Sequence, residues 1–403
     1  MPKNISTGNE VPKLNAEIEY LRAIAVLLVV SVHIPALLHW GPMVAPFYGA
    51  DGHYLKLLNY FDGWTGVDLF FCISGFVISK SFIESFDRFK AGGDPWRSMK
   101  AFWVRRFFRI APSAWTWLAV MLTCSIAFNH SGTFFSLSQN LRSAIPILAG
   151  VANFASPDGG LIPNGVYWSL ALEEQFYFVF PFFLLFVSGK WRWRLLLVLI
   201  ALQLVVDRSD SNSILWITRT DALMWGVIVY LFSQTSQYKL FAPSFCSNRW
   251  AGMALSGLLI WLIGALPTVA HLKTLSLVAI ASAILVFMAS YNRGYVLPLP
   301  KAMRSVLLWI GSRSYGIYLI HIPAFYMTYE MWFRFAANHG RNGLDATFTL
   351  RLILTAMALV PLLAELNYRL IERPLRRRGA AIAKRILATG PSPTIERVLH
   401  RAA

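Results

Sequence analysis

Ten apolar runs of near membrane-spanning length dominate this sequence, and they leave few folds open to it. They fall at roughly 18–40, 62–84, 109–128, 166–188, 195–207, 216–233, 251–267, 271–290, 305–332 and 347–371. A helix crossing a bilayer needs about 20 predominantly apolar residues, so the run at 195–207 is the shortest candidate. Lipid offers no partner to backbone N–H and C=O groups, so such runs fold as helices. Only 14% of the 403 residues are charged, against about 25% in soluble domains. The expected fold is an all-α integral membrane protein of about ten transmembrane helices around a central polar pore, multi-pass in the cytoplasmic (inner) membrane.

The formal net charge is +17, which on its own could suggest nucleic acid. The lysines and arginines, however, fall in short blocks between apolar runs, the pattern that sets membrane orientation. With the N-terminus inside, 26 of them lie on the inner side and 8 on the outer. This asymmetry predicts that both termini are cytoplasmic, and no nucleic-acid partner is expected. Residues 1–17 read as a polar cytoplasmic arm, 18–371 as the membrane domain and 372–403 as a basic cytoplasmic tail. The tail charge suits anionic lipid. The first apolar run is too long for a signal-peptide core and lacks a cleavage site, so it is expected to stay in place. Residues 141–155 are moderately apolar. If they crossed, the basic block at Lys190, Arg192 and Arg194 would face outward, so they read as an interfacial or re-entrant helix in a long outer loop, 129–165. Cys72, Cys124 and Cys246 are too scattered for a disulfide framework.

The first run carries Arg22 and His33, 11 residues apart. At about 100° per residue they share one helix face, roughly 16 Å apart along the axis. Ionisable groups at membrane depth mark functional sites by default. Counting depth from the outer surface puts His33, Asp68, the Glu173/Glu174 pair and His321 in one outer layer, on four different helices, with Asp221 near an outer helix end. A carboxylate beside a histidine fixes its tautomer and raises its basicity, which suits proton abstraction from a hydroxyl. The alternative is a buried polar network that only locks helices together. On the inner side, Arg105, Arg106 and Arg109 follow Arg97 and Lys100 and suit bidentate phosphate recognition, although inner positive charge alone also explains them. Ser74 lies nearer this side, and Arg22 enters at its level. No Gly-x-Ser-x-Gly elbow, His-Glu-x-x-His pair or Walker loop is present, and no metal site is expected.

Six motifs in order resemble the membrane-bound acyltransferase family 3: Leu21-Arg22 with His33; Gly66-Val67-Asp68-Leu69-Phe70-Phe71 with Ser74-Gly75-Phe76; Arg105-Arg106-Phe107-Phe108-Arg109-Ile110; Trp168 to Tyr177; Ser314 to His321; and Tyr368 to Pro374. The resemblance spans about residues 15–378. It implies members of the kind that O-acetylate O-antigen, exopolysaccharide or Nod factor: an acyl group, usually acetyl, passes from cytoplasmic acyl-coenzyme A to a hydroxyl of a glycan or similar acceptor. The family's arginine–histidine motif maps onto Arg22 and His33, and its inner arginine motif onto Arg105, Arg106 and Arg109. Some members carry a fused extracytoplasmic hydrolase-like domain; this chain is expected to lack one.

The reading that follows is an integral-membrane O-acyltransferase. Donor phosphates are expected at Arg22, Arg105, Arg106 and Arg109, with Ser74 nearby. His33 is expected to act as general base, assisted by Glu173 or Glu174 and Asp68, and supported by Trp168, Tyr177 and His321. No permanently bound cofactor is expected; acyl-coenzyme A (acetyl-coenzyme A) is a donor substrate. The competing reading is a proton-coupled transporter or flippase, which the absence of internal halves disfavours.

Overall fold

The computed structural model describes residues 15–38, 61–157, 159–206, 208, 218–269 and 273–388. Most of the arm at 1–17, the end of the first run at 39–40, part of the run at 216–233 and the tail beyond 388 lie outside the described residues. Among those described, all regular structure is helical. In chain order the helices are α1 (Ala16–Val32), α2 (Ile34–Leu37), α3 (Gly66–Ala91), α4 (Pro95–Ala127), α5 (Leu137–Leu148), α6 (Ala152–Ala155), α7 (Tyr167–Phe186), α8 (Gly189–Val205), α9 (Asp221–Ser233), α10 (Arg249–Val269), α11 (Thr274–Ser290), α12 (Lys301–Ser312), α13 (Ser314–Asn338), α14 (Thr349–Asn367) and α15 (Arg373–Ala388). Among the described residues, five helical segments are long and apolar enough to cross a membrane: Gly63–Ala91, Pro95–Ala127, Tyr167–Phe186, Arg249–Thr268 and Ala346–Ala388. Asp221–Ser233 and Thr274–Ser290 are shorter apolar helices.

Helix α1 is the axis of the fold. Asn15 caps it by accepting from the Ile18 N–H at 3.1 Å. Leu21, Ala23, Ala25 and Val26 are fully buried, so protein surrounds it rather than lipid. It is enclosed by α3, α11, α12 and α13. Glycines permit the closest approaches. A Cβ on Gly311 of α12 would stand 2.0 Å from the Glu19 carbonyl oxygen, and one on Gly75 of α3 would stand 2.0 Å from that of Leu223 on α9.

Three spans differ from their sequence reading. The first run is not one continuous helix: α1 stops at Val32 and His33 turns the chain. Pro35 has no N–H to donate back along the helix, while the His33 ring occupies the Val29 carbonyl at 2.7 Å. The run at 305–332 divides at Arg313 into α12 and α13. The arginine block at 97–109 is not loop but the first half of the 33-residue α4. Residues 141–155 form α5 and α6, both too short to cross, with α5 closed by a capping box at Ser136 and Gln139.

Candidate active site

Two adjoining cavities lie beside α1. The inner, about 80 Å³, is lined by Arg22, Ser74, Arg109, Glu173, Tyr177 and Tyr315 among others. The outer, about 460 Å³, is lined by His33, Trp64, Phe135, Trp168, Tyr318 and Tyr326 among others. Val67 and Tyr318 line both and so form the wall between them. The Tyr318 hydroxyl is held 2.6 Å from Ser169 Oγ and donates to the Val166 carbonyl at 3.1 Å.

In the inner cavity the Glu173 carboxylate accepts hydrogen bonds from Ser74 and Tyr177. Tyr177 lies one turn further along α7, so the pair follows from i, i+4 spacing. Arg22 pairs with Glu19 at 2.6 Å and lies within the fields of Arg109 and Glu173. Of the three arginines opening the α4 motif, only Arg109 lines the cavity. The Arg106 guanidinium stands over the rings of Phe102 (5.5 Å) and Tyr177 (5.3 Å), and Arg105 is half-buried outside the lining.

In the outer cavity the structure pairs two histidines. His33 Nδ1 lies 2.7 Å from the Val29 carbonyl and 3.3 Å from His321 Nε2, and His321 Nδ1 lies 2.7 Å from the Tyr318 carbonyl. A carbonyl can only accept, so the proton of each neutral ring is assigned to Nδ1. His33 Nε2 then carries a lone pair, and His321 Nε2 presents its own lone pair to the His33 Nδ1–H. That is the arrangement of a general base with an orienting partner.

The carboxylates do not meet His33 as the depth argument expected. Neither glutamate lines the outer cavity among the described residues. Glu173 belongs to the inner one, and a Cβ on Gly150 would lie 3.8 Å from the carboxylate of Glu174. Depth along a helix leaves direction around its axis unspecified, and consecutive residues diverge by about 100°. Asp68 is buried in an ion pair with Arg219 (3.4 Å). Arg219 stands between the indoles of Trp64 (4.9 Å) and Trp168 (4.7 Å), both of which wall the outer cavity. Beside it Arg208 pairs with Asp221 at 2.7 Å. Sequence reasoning assigns Arg208 and Arg219 only to outer loop charge; the i, i+4 spacing of Trp64 and Asp68 was the available hint.

The outer wall is fixed from the loop after α4. Glu330 of α13 accepts from the N–H groups of His130 and Ser131 at 2.6 and 2.8 Å. Asn129 brackets Phe134 and Phe135 (2.9 and 2.7 Å), holding Phe135 at φ 59°, a conformation rare for a bulky residue. Among the described residues no group of three or more His, Cys, Asp or Glu is placed to hold a metal.

A pocket lined by Arg22 and Arg109 thus adjoins one lined by His33, with Val67 and Tyr318 common to both. Residues 15–365 match the family described as "Acyltransferase domain", and the chain belongs to that family. It is similar to the peptidoglycan O-acetyltransferase OatA of Listeria monocytogenes, with 27% identity over 90% of this chain and 56% of that protein. It is also similar to the O-acetyltransferase OatA of Staphylococcus aureus, with 24% identity over 79% of this chain and 53% of that protein. The chain thus spans about half the length of these relatives. No solved structure matches it.

Proposed function

We propose that the chain is a ten-span membrane O-acyltransferase with both termini cytoplasmic. It moves an acyl group, acetyl in this reading, from cytoplasmic acyl-coenzyme A to a hydroxyl of an extracytoplasmic or membrane-linked glycan. One observation carries this reading: a pocket lined by Arg22 and Arg109 shares Tyr318 with one lined by His33, whose ring is backed by His321. The guanidinium groups suit an anionic donor. The aromatic walls around His33 suit the apolar face of a sugar ring, with few polar groups to fix it. The activities the relatives are named for, O-acetylation and in one case of peptidoglycan, support a glycan acceptor.

In the proposed reaction His33 Nε2 takes the proton of the acceptor hydroxyl. The alkoxide oxygen attacks the thioester carbonyl, the C–S bond breaks, and the coenzyme A thiolate leaves as the thiol on taking the proton held by the His33 imidazolium, which returns the ring to its neutral form. His321 Nε2 accepts from His33 Nδ1–H while the ring is charged. The test is thioester consumption by purified protein in liposomes supplied with acetyl-coenzyme A and acceptor. His33→Ala is expected to lower acceptor-dependent thiol release by roughly 10²–10⁴-fold while the protein still inserts; activity near that of the wild type would remove His33 from the reaction. Transport of the acceptor with the thioester untouched would favour the carrier reading.

A further inference from the structure

The inner cavity is too small for what the proposed donor must present to it. About 80 Å³ admits a narrow acyl-bearing chain but not a nucleotide, since pockets for drug-sized ligands run to about 300–1,000 Å³. The bulky, phosphorylated end of the donor therefore needs a second compartment at the same end of the protein.

The C-terminal helix supplies one. Helix α15 lies along α4, and a Cβ on Gly379 would stand 2.5 Å from Phe108 Cβ, so no larger residue permits that approach without a shift. Arg376, Gly379 and Ala383 recur at helical spacing, and Gly379 and Ala383 are buried. Arg376 stands one turn before Gly379 at the edge of that face, is itself exposed, and lies within the fields of Arg109 and Arg22. A separate cavity of about 350 Å³ opens between Tyr368, Arg373, Arg376, Arg377 and Ala380. Residues next to the two linings meet. Tyr315 lines the inner cavity, and a Cβ on the next residue, Gly316, would lie 3.0 Å from Glu372, which precedes Arg373. Glu372 is buried, accepts from Asn367 at 2.7 Å and lies within the field of Arg376; it does not line the cavity, whose charged groups are the three arginines. Three guanidinium groups beside a tyrosine ring suit phosphate oxygens, which they bind bidentately.

We propose that this cavity is a phosphate-binding site for the nucleotide end of the acyl donor, so that the C-terminal helix is part of the donor site. The proposal rests on the acyl-coenzyme A reading above. The same chemistry would also hold the phosphate of an anionic lipid, and the experiment separates the two sources. The full chain, lipid-free in detergent, is titrated with adenosine 3′,5′-bisphosphate, and the triple variant Arg373→Gln/Arg376→Gln/Arg377→Gln is compared with it. The expected result is saturable binding that weakens at least about tenfold in the variant; equal binding overturns the proposal. Single Arg377→Gln, at a position exposed like Arg373 and Arg376, supplies a folded comparison if the triple variant fails to fold, and it is expected to weaken binding severalfold; unchanged binding there overturns the proposal as well. In nanodiscs, the ratio of kcat/KM for acetyl-coenzyme A to that for a short acetyl thioester lacking the nucleotide is expected to fall about tenfold in the variant. An equal fall for both donors means a merely structural role. A variant effect that appears only with phosphatidylglycerol present, while nucleotide binding in detergent is unchanged, assigns the site to lipid. Both of those outcomes overturn the proposal. Arginine-dependent nucleotide binding by a protein that releases no thiol keeps this site and refutes the reaction instead.

Discussion

His321 Nε2 lies 3.3 Å from His33 Nδ1, with the ring centroids 4.9 Å apart and the planes tilted by 58°. An imidazole therefore backs the base candidate, with the Asp62 carboxylate within electrostatic reach. The Val29 carbonyl fixes the ring's tautomer, and a neutral imidazole lends less charge stabilisation than a carboxylate in its place would to the imidazolium that forms. The pair thus favours a base whose proton is passed on quickly.

His321→Phe removes that acceptor while keeping an aromatic of similar bulk. Orienting partners of functional histidines are worth about 10–100-fold, and a fall of that size in kcat is expected, with little change in donor KM. His321→Gln, whose amide oxygen can accept the same hydrogen bond, is expected to recover a large part. Equal losses in the two variants would reduce His321 to a packing residue. The measurement is acceptor-dependent thiol release at saturating donor.

Tyr318 divides the cavities with its ring, while its hydroxyl bonds to Ser169 and Val166. Tyr318→Ala should join the cavities and admit water to the thioester. Thiol release without acceptor is then expected to rise relative to transfer, whereas Tyr318→Phe, losing bonds worth about 1 kcal/mol each, should stay coupled. Acylated product and free thiol, counted in the same reaction, give the ratio. Tight coupling in Tyr318→Ala would show that the wall lies elsewhere.

The three arginines of the α4 motif should separate on assay. Arg109 lines the inner cavity, Arg106 is stacked on Phe102 and Tyr177, and Arg105 is outside. Hydrogen bonds to charged groups contribute about 1.5–3 kcal/mol, so Arg109→Ala is expected to raise donor KM by roughly 10–150-fold. Arg105→Ala should stay within about twofold, and Arg106→Ala should cost thermal stability as well as affinity. Equal KM changes at 105 and 109 would contradict the cavity assignment.

Much of this architecture was legible because lipid imposes it. Runs of about 20 apolar residues had to be helices, and the depth of His33 and His321 predicted a shared layer, where the structure brings their rings together. What remained hidden depends on direction around a helix and on contacts between distant segments. Glu173 was expected in the outer layer with His33, yet α7 places it in the inner cavity with Arg22, Ser74 and Tyr177. Helix α15 reads as a lipid-facing basic segment until Gly379 is seen against Phe108. Arg219 reads as loop charge because nothing in its neighbourhood along the chain announces two indoles. The break at His33 was within reach, since Pro35 stands two residues later.

The Asp68–Arg219 pair, finally, joins stability to the shape of the acceptor cavity. Both side chains are fully buried, and removing one partner of a buried pair typically destabilises by about 3–5 kcal/mol because the other charge stays behind. Asp68→Ala is expected to show a loss of that order by denaturant unfolding in detergent. The double variant Asp68→Leu/Arg219→Met leaves no stranded charge and should regain part of it. Full recovery is not expected, because Arg219 also stands between Trp64 and Trp168, and desolvated cation–π contacts reach about 2 kcal/mol. Losing that guanidinium should let the indoles shift, so the double variant is expected to raise acceptor KM more than donor KM. Wild-type stability in Asp68→Ala would mean that the neighbouring Asp221 already neutralises Arg219; an unchanged acceptor KM in the double variant would mean that the indoles hold their places without it.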